Sequence, residues 1–456
     1  YTRGELTRHY LVVPTLVTFT AAVIGNILGY TAMKNVVMNM YYHSYSLPPY
    51  QTLWNGDAFI LTTVIPCIII TLINLFVIAK ALRLPPLQFL RHDFHMKKKK
   101  KAAKLPNFRF LTRFRLRIIL QNIPSYIIMV LGIMFAGLLL FFGLALNPLL
   151  SNYKTEVVNN MICDYQYVLK APVETSNDAA EKFCMTTLYE LNDEEISAYG
   201  IENGSEYLSK VNVPKKKNEV VASQGYLEKY SLKVGDRVTL KDKYGENKYT
   251  FKIVGSYYYP ASLCVFMTND NFNDVFDKDD GYFTGYFSNE KLKDIDDKYI
   301  ATTITQKDLT TVTDQLDDSM GMSFTLLVGF SVLIYIILMY LLSKLVIEKN
   351  EQNISMLKIL GYSNREASKL YNRATTVVTI GAILVSVPLI YYVFAGLYHY
   401  FMFEMKGWLP YVVPWYVFVE MAVIGIICYA IIYFILQKKI NKIKLSQALK
   451  LSLIHI

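Results

Sequence analysis

Histidine and cysteine are scarce, six and five in 456 residues, and neither falls in a pattern that holds a metal. His9, His43, His399 and His455 stand apart, and "HDFH" (His92 to His95) has ligand-like spacing only as a lone pair in a basic stretch, where it reads as solvated. The phosphate loop GxxxxGK[ST], the zincin helix HExxH and the nucleophile elbow GxSxG are all missing. No convergent polar constellation supports catalysis, so the expectation is no catalytic residue, no metal and no directly bound cofactor. Charge is also sparse: 18% of residues, against 53% hydrophobic and 14% aromatic. A soluble domain of this length carries more charge. A membrane is the solvent that this composition fits.

Segments of about 20 largely uncharged residues are long enough to cross the hydrocarbon core as helices. Six occur, near 11–32, 58–79, 124–146, 323–346, 374–395 and 415–436. The chain is therefore expected to be an α-helical polytopic membrane protein with a lipid bilayer as its first partner. These stretches hold one acid, Glu420, close to a span end. An ion path through a bilayer needs ionisable groups. An ion-driven secondary transporter is thus disfavoured, and Glu420 reads as an interface residue.

The net charge of +10 hides a dipolar layout. Residues 151–320 hold 19 basic and 29 acidic side chains, a net of −10, so the remainder carries +20. From Lys80 to Arg117 thirteen Lys or Arg stand against the single acid Asp93, and 344–373 and 437–450 are also basic. The positive-inside rule makes these loops cytoplasmic and puts 151–320 outside. Because the positive charge flanks spans, nucleic acid is not expected as a partner. "KKKKK" (Lys97 to Lys101) reads as a solvated linker, whereas "RFLTRFRLRIILQN" (Arg109 to Asn122) alternates Arg with apolar residues and predicts an amphipathic helix in the inner interface.

The outer region opens on no signature but contains "LKVGDRVTLKDKYGENKYTFKIVGSYYY" (Leu232 to Tyr259). Val238 and Leu240 alternate with polar residues, "YGEN" supplies a turn, and Tyr249, Phe251 and Ile253 alternate again, which predicts a β-hairpin with one buried face. Helical patches are expected around 269–278 and 288–298, making this domain α+β. Cys67 and Cys428 lie in spans as small apolar residues; Cys163, Cys184 and Cys264 are outside, where one bridge, Cys163 to Cys184, is possible.

A repeat runs through the chain. Aligning Tyr1 with Tyr362 pairs Glu5 with Glu366, Tyr10 with Tyr371, Thr2 with Ser363, Thr7 with Ser368 and Arg8 with Lys369. "LQFLR" (Leu87 to Arg91) then resembles "SQALK" (Ser446 to Lys450) at nearly the same distance. Such self-similarity marks duplication. The expectation is that 1–91 is the C-terminal part of a first unit with two spans, 92–122 a basic linker and interfacial helix, and 123–150 the first span of a second unit. Residues 151–320 are then its outer domain and 321–450 its three remaining spans. On this reading the chain is a fragment cut upstream of Tyr1, and "LSLIHI" (Leu451 to Ile456), the conceptual translation of a common transposase adapter end, is a sequencing scar.

The repeated phrase has a physical meaning. After the fourth span, "SKLVIEKNEQNISMLKILGYSNRE" alternates at helical spacing up to Gly361, a natural residue just past a helix end. Ser363 as N-cap and Glu366 three residues on form a capping box that starts a new helix, and Thr2 and Glu5 stand in the same relation. Each unit thus carries a helix, a sharp break and a returning helix on the cytoplasmic side. Such an elbow offers a handle to a cytoplasmic partner.

"EKNEQNISMLKILGYSNREASKLY" resembles the cytoplasmic coupling segment of FtsX-like permeases of ABC transporters, the MacB, LolC and BceB kind of membrane subunit. Gln352, Ile354, Leu357, Lys358, Leu360, Gly361, Tyr362, Ser363 and Glu366 occupy the family's places, while Asn353 and Ile359 depart from its usual Glu and Ala. The hairpin at 232–259 is similar to the MacB periplasmic-core type of domain, and "KIKLSQALK" to the family's C-terminal tail. The resemblance implies a duplicated permease in a bacterial cell membrane, with no ATPase of its own. It would serve a separate cytoplasmic ABC ATPase, acting as a dimer, that uses ATP and Mg. The coupling segment would be Glu351, Gln352, Ile354, Met356, Leu357, Lys358, Leu360, Gly361, Tyr362, Ser363, Arg365 and Glu366. Nucleotide-driven motion would then reshape the outer domain to export, extract or signal, a mechanotransmission, with an extracytoplasmic substrate left open. The rival is a membrane sensor or scaffold whose outer domain binds a ligand without ATP coupling.

Overall fold

Six helices among the described residues are long and apolar enough to cross a membrane, and each contains one of the six apolar runs. The computed structural model describes residues 2–44, 46–82, 106–190, 192–441 and 443. The linker stretches Leu87–Arg91, His92–His95 and Lys97–Lys101, and the tail from Lys444 to Ile456, lie outside the described residues. The chain divides into two units, Tyr1–Arg113 with Asp318–Ser323, and Phe114–Asp317 with Phe324–Ile456.

In the first unit α1 (Arg3–Leu28) starts at the predicted capping box: Thr2 N–H donates to Glu5 Oε2 at 2.7 Å and Glu5 N–H to Thr2 Oγ1 at 3.3 Å. A π turn (Gly29–Met33) joins it to α2 (Lys34–Ser44), and α3 (Gly56–Phe59) passes through a second π turn (Ile60–Val64) into α4 (Ile65–Ala81). The two arms meet through Asn26, whose Nδ2 donates to Thr63 Oγ1 at 2.6 Å and whose Oδ1 accepts from Thr62 Oγ1 at 3.1 Å. A polar pair in an otherwise apolar hairpin fixes its register.

The second unit begins in α5 (Phe110–Gln121), the helix expected at 109–122, where the Phe114 ring meets Tyr371 edge-on at 6.0 Å. It continues into α6 (Ile123–Asn159). Nine strands follow: β1 (Tyr165–Leu169), β2 (Glu181–Tyr189), β3 (Glu195–Ile201), β4 (Glu219–Ser223), β5 (Arg237–Lys241), β6 (Lys248–Tyr257), β7 (Cys264–Thr268), β8 (Gly285–Ser288) and β9 (Ile300–Thr305). Helices α7 (Gln224–Tyr230) and α8 (Asn269–Val275) interrupt them. The hairpin β5–β6 pairs Val238 with Phe251 and Leu240 with Tyr249, and Val238, Leu240, Phe251 and Ile253 are buried as the alternation requires. Strand order is β3-β7-β4-β6-β5-β2-β8-β1-β9, and β2 also pairs with β3. Six of the strands therefore close into a ring, from which β8, β1 and β9 extend.

One expectation fails here, and the possible Cys163–Cys184 bridge does not form. The segment 288–298 is a loop with one 3₁₀ turn (Asp297–Tyr299) rather than a helix. Its acids are engaged elsewhere: Asp294 accepts from Ser176 N–H at 2.6 Å across the fold, and Asp296 accepts locally from Lys298 N–H at 3.2 Å, a short-range bond of the kind that competes with helix. Cys163 and Cys184 are both free thiols. They are packed into the cores on opposite faces of the sheet, Cys184 with Leu240 and Phe272, Cys163 with Phe266 and Phe287.

From β9 the chain enters α9 (Gln306–Lys349), then α10 (Glu351–Ile359), α11 (Asn364–Glu404) and α12 (Trp415–Asn441). At 1.5 Å per residue, the 44 residues of α9 span about 66 Å, roughly twice a hydrocarbon core. Helices α6, α9, α11 and α12 share a core that includes Met129, Ile133, Tyr335, Ile383 and Ile432. Glycines on α6 let α9 come close: a Cβ at Gly143 would lie 2.8 Å from Val328 Cγ2 and 3.2 Å from its backbone nitrogen.

Candidate functional site: the elbow between two spans

The pattern at 343–366 predicts one helix running to Gly361, but the structure breaks it at Asn350. Asn350 is buried, and its Nδ2 donates back to Val346 O at 2.7 Å, while its own carbonyl accepts from Ile354 N–H at 2.9 Å. A side-chain amide that takes an i−4 carbonyl competes with the helical ladder, so α9 stops at Lys349 and α10 starts at Glu351.

The far end of α10 follows the prediction. Gly361 has φ +94, Gly361 N–H donates to Lys358 O at 3.2 Å and Tyr362 N–H to Leu357 O at 3.1 Å. These are the two bonds of a Schellman motif, closed by a residue in the left-handed region. Ser363 then caps α11: Ser363 N–H donates to Glu366 Oε2 at 2.9 Å and Glu366 N–H to Ser363 Oγ at 3.3 Å.

The elbow is pinned on one side and open on the other. Ile354 and Ser355 are fully buried, and Leu357 packs inward against the same core. Lys358 Nζ donates to Ile440 O and Ile443 O, both at 2.9 Å, so α10 caps the last turn of α12. Burial holds the Lys358 pKa below the usual lysine range. Lys349 Nζ donates to Ser125 Oγ at 2.7 Å and Lys439 Nζ to Glu348 Oε1 at 2.5 Å, tying α9 to α6 and α12. On the open side Met356, Ile359 and Leu360 are 61%, 47% and 70% exposed. Their i, i+3, i+4 spacing makes one small apolar face.

Of the twelve residues singled out in sequence, Met356, Leu360, Gly361, Ser363, Arg365 and Glu366 are exposed, with Glu351 and Tyr362 half-buried. Ile354, Leu357 and Lys358 instead hold the elbow to its neighbours, and the side chain of Gln352 lies outside the described residues. Sequence reasoning missed Ser125, Lys349, Glu348 and Lys439, because their partners are on other helices, and Asn350, because its effect depends on burial. Ile359 was noted only as a departure from pattern, yet it belongs to the exposed face.

Long apolar helices joined at a short capped segment, with a strand-rich domain spliced between two of them, fit a polytopic membrane protein with an α+β domain. Residues 325–445, from within α9 to just past the end of α12, match the family model described as FtsX-like permease C-terminal, so this segment is similar to the membrane subunits of ABC transporters of the FtsX-like permease family. No curated protein matches the chain.

Proposed function

We propose that this chain is a mechanotransmitting permease: a separate ABC ATPase hydrolyses ATP with Mg, and the elbow at 350–366 receives the resulting push. The observation that carries the reading is the Met356–Ile359–Leu360 face, apolar and exposed on a segment whose opposite side is fastened by Lys358 and Ile354. An apolar triplet at helical spacing is what a groove on a partner reads, and a fastened helix passes on a push that a loose one absorbs. Helix α9 connects that point without interruption to β9, so displacement at the elbow reaches the sheet domain along a single rod.

The charge layout supports an elbow on the cytoplasmic side of the cell membrane and an extracytoplasmic sheet domain: Lys344, Lys349, Lys358, Arg365, Lys369 and Arg373 cluster by the elbow, against a net of −10 over 151–320. The repeat adds a second observation. Helices α1 and α2 end to end cover Arg3–Ser44 and α11 covers Asn364–Glu404, while α3 to α4 cover Gly56–Ala81 and α12 covers Trp415–Asn441. Shifted by the offset of Tyr1 to Tyr362, these bounds agree within about two residues, which favours two permease units of MacB type in one polypeptide.

The test is co-purification of the chain with ABC ATPases encoded beside it, before and after replacing 350–366 by a polar linker of equal length. Binding lost on replacement supports the reading. Binding retained, or no ATPase captured by the unaltered chain, sinks it in favour of an ATP-independent sensor.

A further inference from the structure

Lys229, on α7 of the sheet domain, has a fully buried side chain, and all three of its ammonium protons are taken. Nζ donates to Glu194 Oε2 at 2.9 Å, to Met405 O at 2.6 Å and to Gly407 O at 3.0 Å. Glu194 completes the circuit by accepting from Gly407 N–H at 2.6 Å. Met405 and Gly407 belong to the turn between α11 and α12, so a buried ion pair of one domain holds the backbone of another. Three neighbours reinforce it. Trp408 Nε1 donates to Glu228 Oε2 at 2.9 Å, the Tyr230 ring meets Phe403 at 5.7 Å, and Gly225 leaves room for Trp408, whose Cδ1 would lie 3.2 Å from a Cβ there.

A buried lysine with every donor satisfied is costly to assemble and costly to break. Neither the strand pairing nor the helix core needs it, since both close without residue 229. What it does is join α7 to the α11–α12 turn. At the other end of the same helical pair, Lys358 of the elbow donates to the closing carbonyls of α12. One helical hairpin is thus held at each end by a lysine from a different element.

We propose that Lys229, paired with Glu194, is a positioning residue that clamps the sheet domain to the α11–α12 hairpin, making this hairpin a second transmission route beside α9. The inference rests on the mechanotransmission reading for its purpose, though not for the clamp itself. Elbow motion then reaches the sheet domain at two points, β9 through α9 and α7 through the clamp. Two separated points of drive turn a domain, where one would only shift it.

The experiment is hydrogen–deuterium exchange on the full chain in lipid nanodiscs, for the unaltered protein and Lys229→Met. The clamp predicts exchange over 405–410 raised by about tenfold in the variant, the effect of losing one charge-assisted bond to a buried partner, with β4 and β6 unchanged. Equal exchange over 405–410 overturns it. If Lys229→Met does not fold, Glu194→Gln is read the same way, because it removes the charge but keeps an oxygen for Gly407 N–H. A second arm adds the neighbouring ATPase trapped with nucleotide. The clamp predicts exchange changes in α10 and α7 of the unaltered chain, and in α10 alone for the variant. An α7 response that survives Lys229→Met overturns the clamp and leaves the transporter reading standing; silence of both segments in the unaltered chain overturns the transporter reading.

Discussion

Lys358 Nζ lies 2.9 Å from the carbonyl oxygen of Ile440, so a residue of the elbow caps α12, a helix that begins 57 residues further along the chain at Trp415. Lys358→Met keeps the length of the side chain and removes its donors. The expected outcome is faster amide exchange over 438–443 with ATPase binding retained, because the exposed face at Met356 is untouched. Unchanged exchange there would show that the cap contributes nothing.

Gly361 sits at φ +94, where a β-branched side chain costs on the order of 1–2 kcal/mol. Gly361→Val should open the Schellman turn, leave membrane insertion intact and uncouple ATP hydrolysis from substrate. The check is substrate-stimulated turnover by the reconstituted complex; a normal value refutes the role given to the turn.

Replacing Met356, Ile359 and Leu360 together by Ser should abolish ATPase co-purification. All three are exposed, so the melting temperature of the chain alone should move by no more than about 2 °C, as surface changes do. A large drop in melting temperature would mean that the face packs inward.

Burial pushes the thiols of Cys163, Cys184 and Cys264 up to about 12. At pH 8 they are protonated as well as enclosed, and the thiolate is the reactive form. Maleimide should add to none of the three in the folded chain and to all three in denaturant, read by intact mass and peptide mapping. Labelling of the folded protein at any of them would contradict the packing.

Asp294 is held down at about 2, first by Ser176 N–H and then by the Thr175 hydroxyl. Since the folded value is below the ordinary one of about 3.9, its tie to 175–176 is present in full above that value and fades as pH falls toward 2. The protection of the Ser176 amide, its exchange rate relative to the intrinsic rate at the same pH, should therefore fall on acidification in the unaltered chain and be low at every pH in Asp294→Ala.

Periodicity made the spans, the hairpin of Val238 and Phe251, and both capping boxes legible, because each depends on residues close in sequence. The break at Asn350 was not legible: an asparagine in a helical pattern is tolerated when its amide faces water, and only burial turns it against the ladder. The stretch 288–298 misled for a related reason, its acids finding partners at Thr175 and Ser176 across the fold. Lys229 and Glu194 were hidden most completely. Nothing near either residue hints that a turn more than 170 positions away supplies two carbonyls.

The ring formed by β3, β7, β4, β6, β5 and β2 has a mechanical corollary. An open sheet can shear, one strand sliding past the next, but a strand in a closed loop cannot slide without straining both neighbours all the way round. Torque delivered to one arc must turn the whole ring. Under the proposed transmission the sheet domain would turn as a wheel rather than yield as a spring, and the displacement of whatever it touches would scale with distance from its hub.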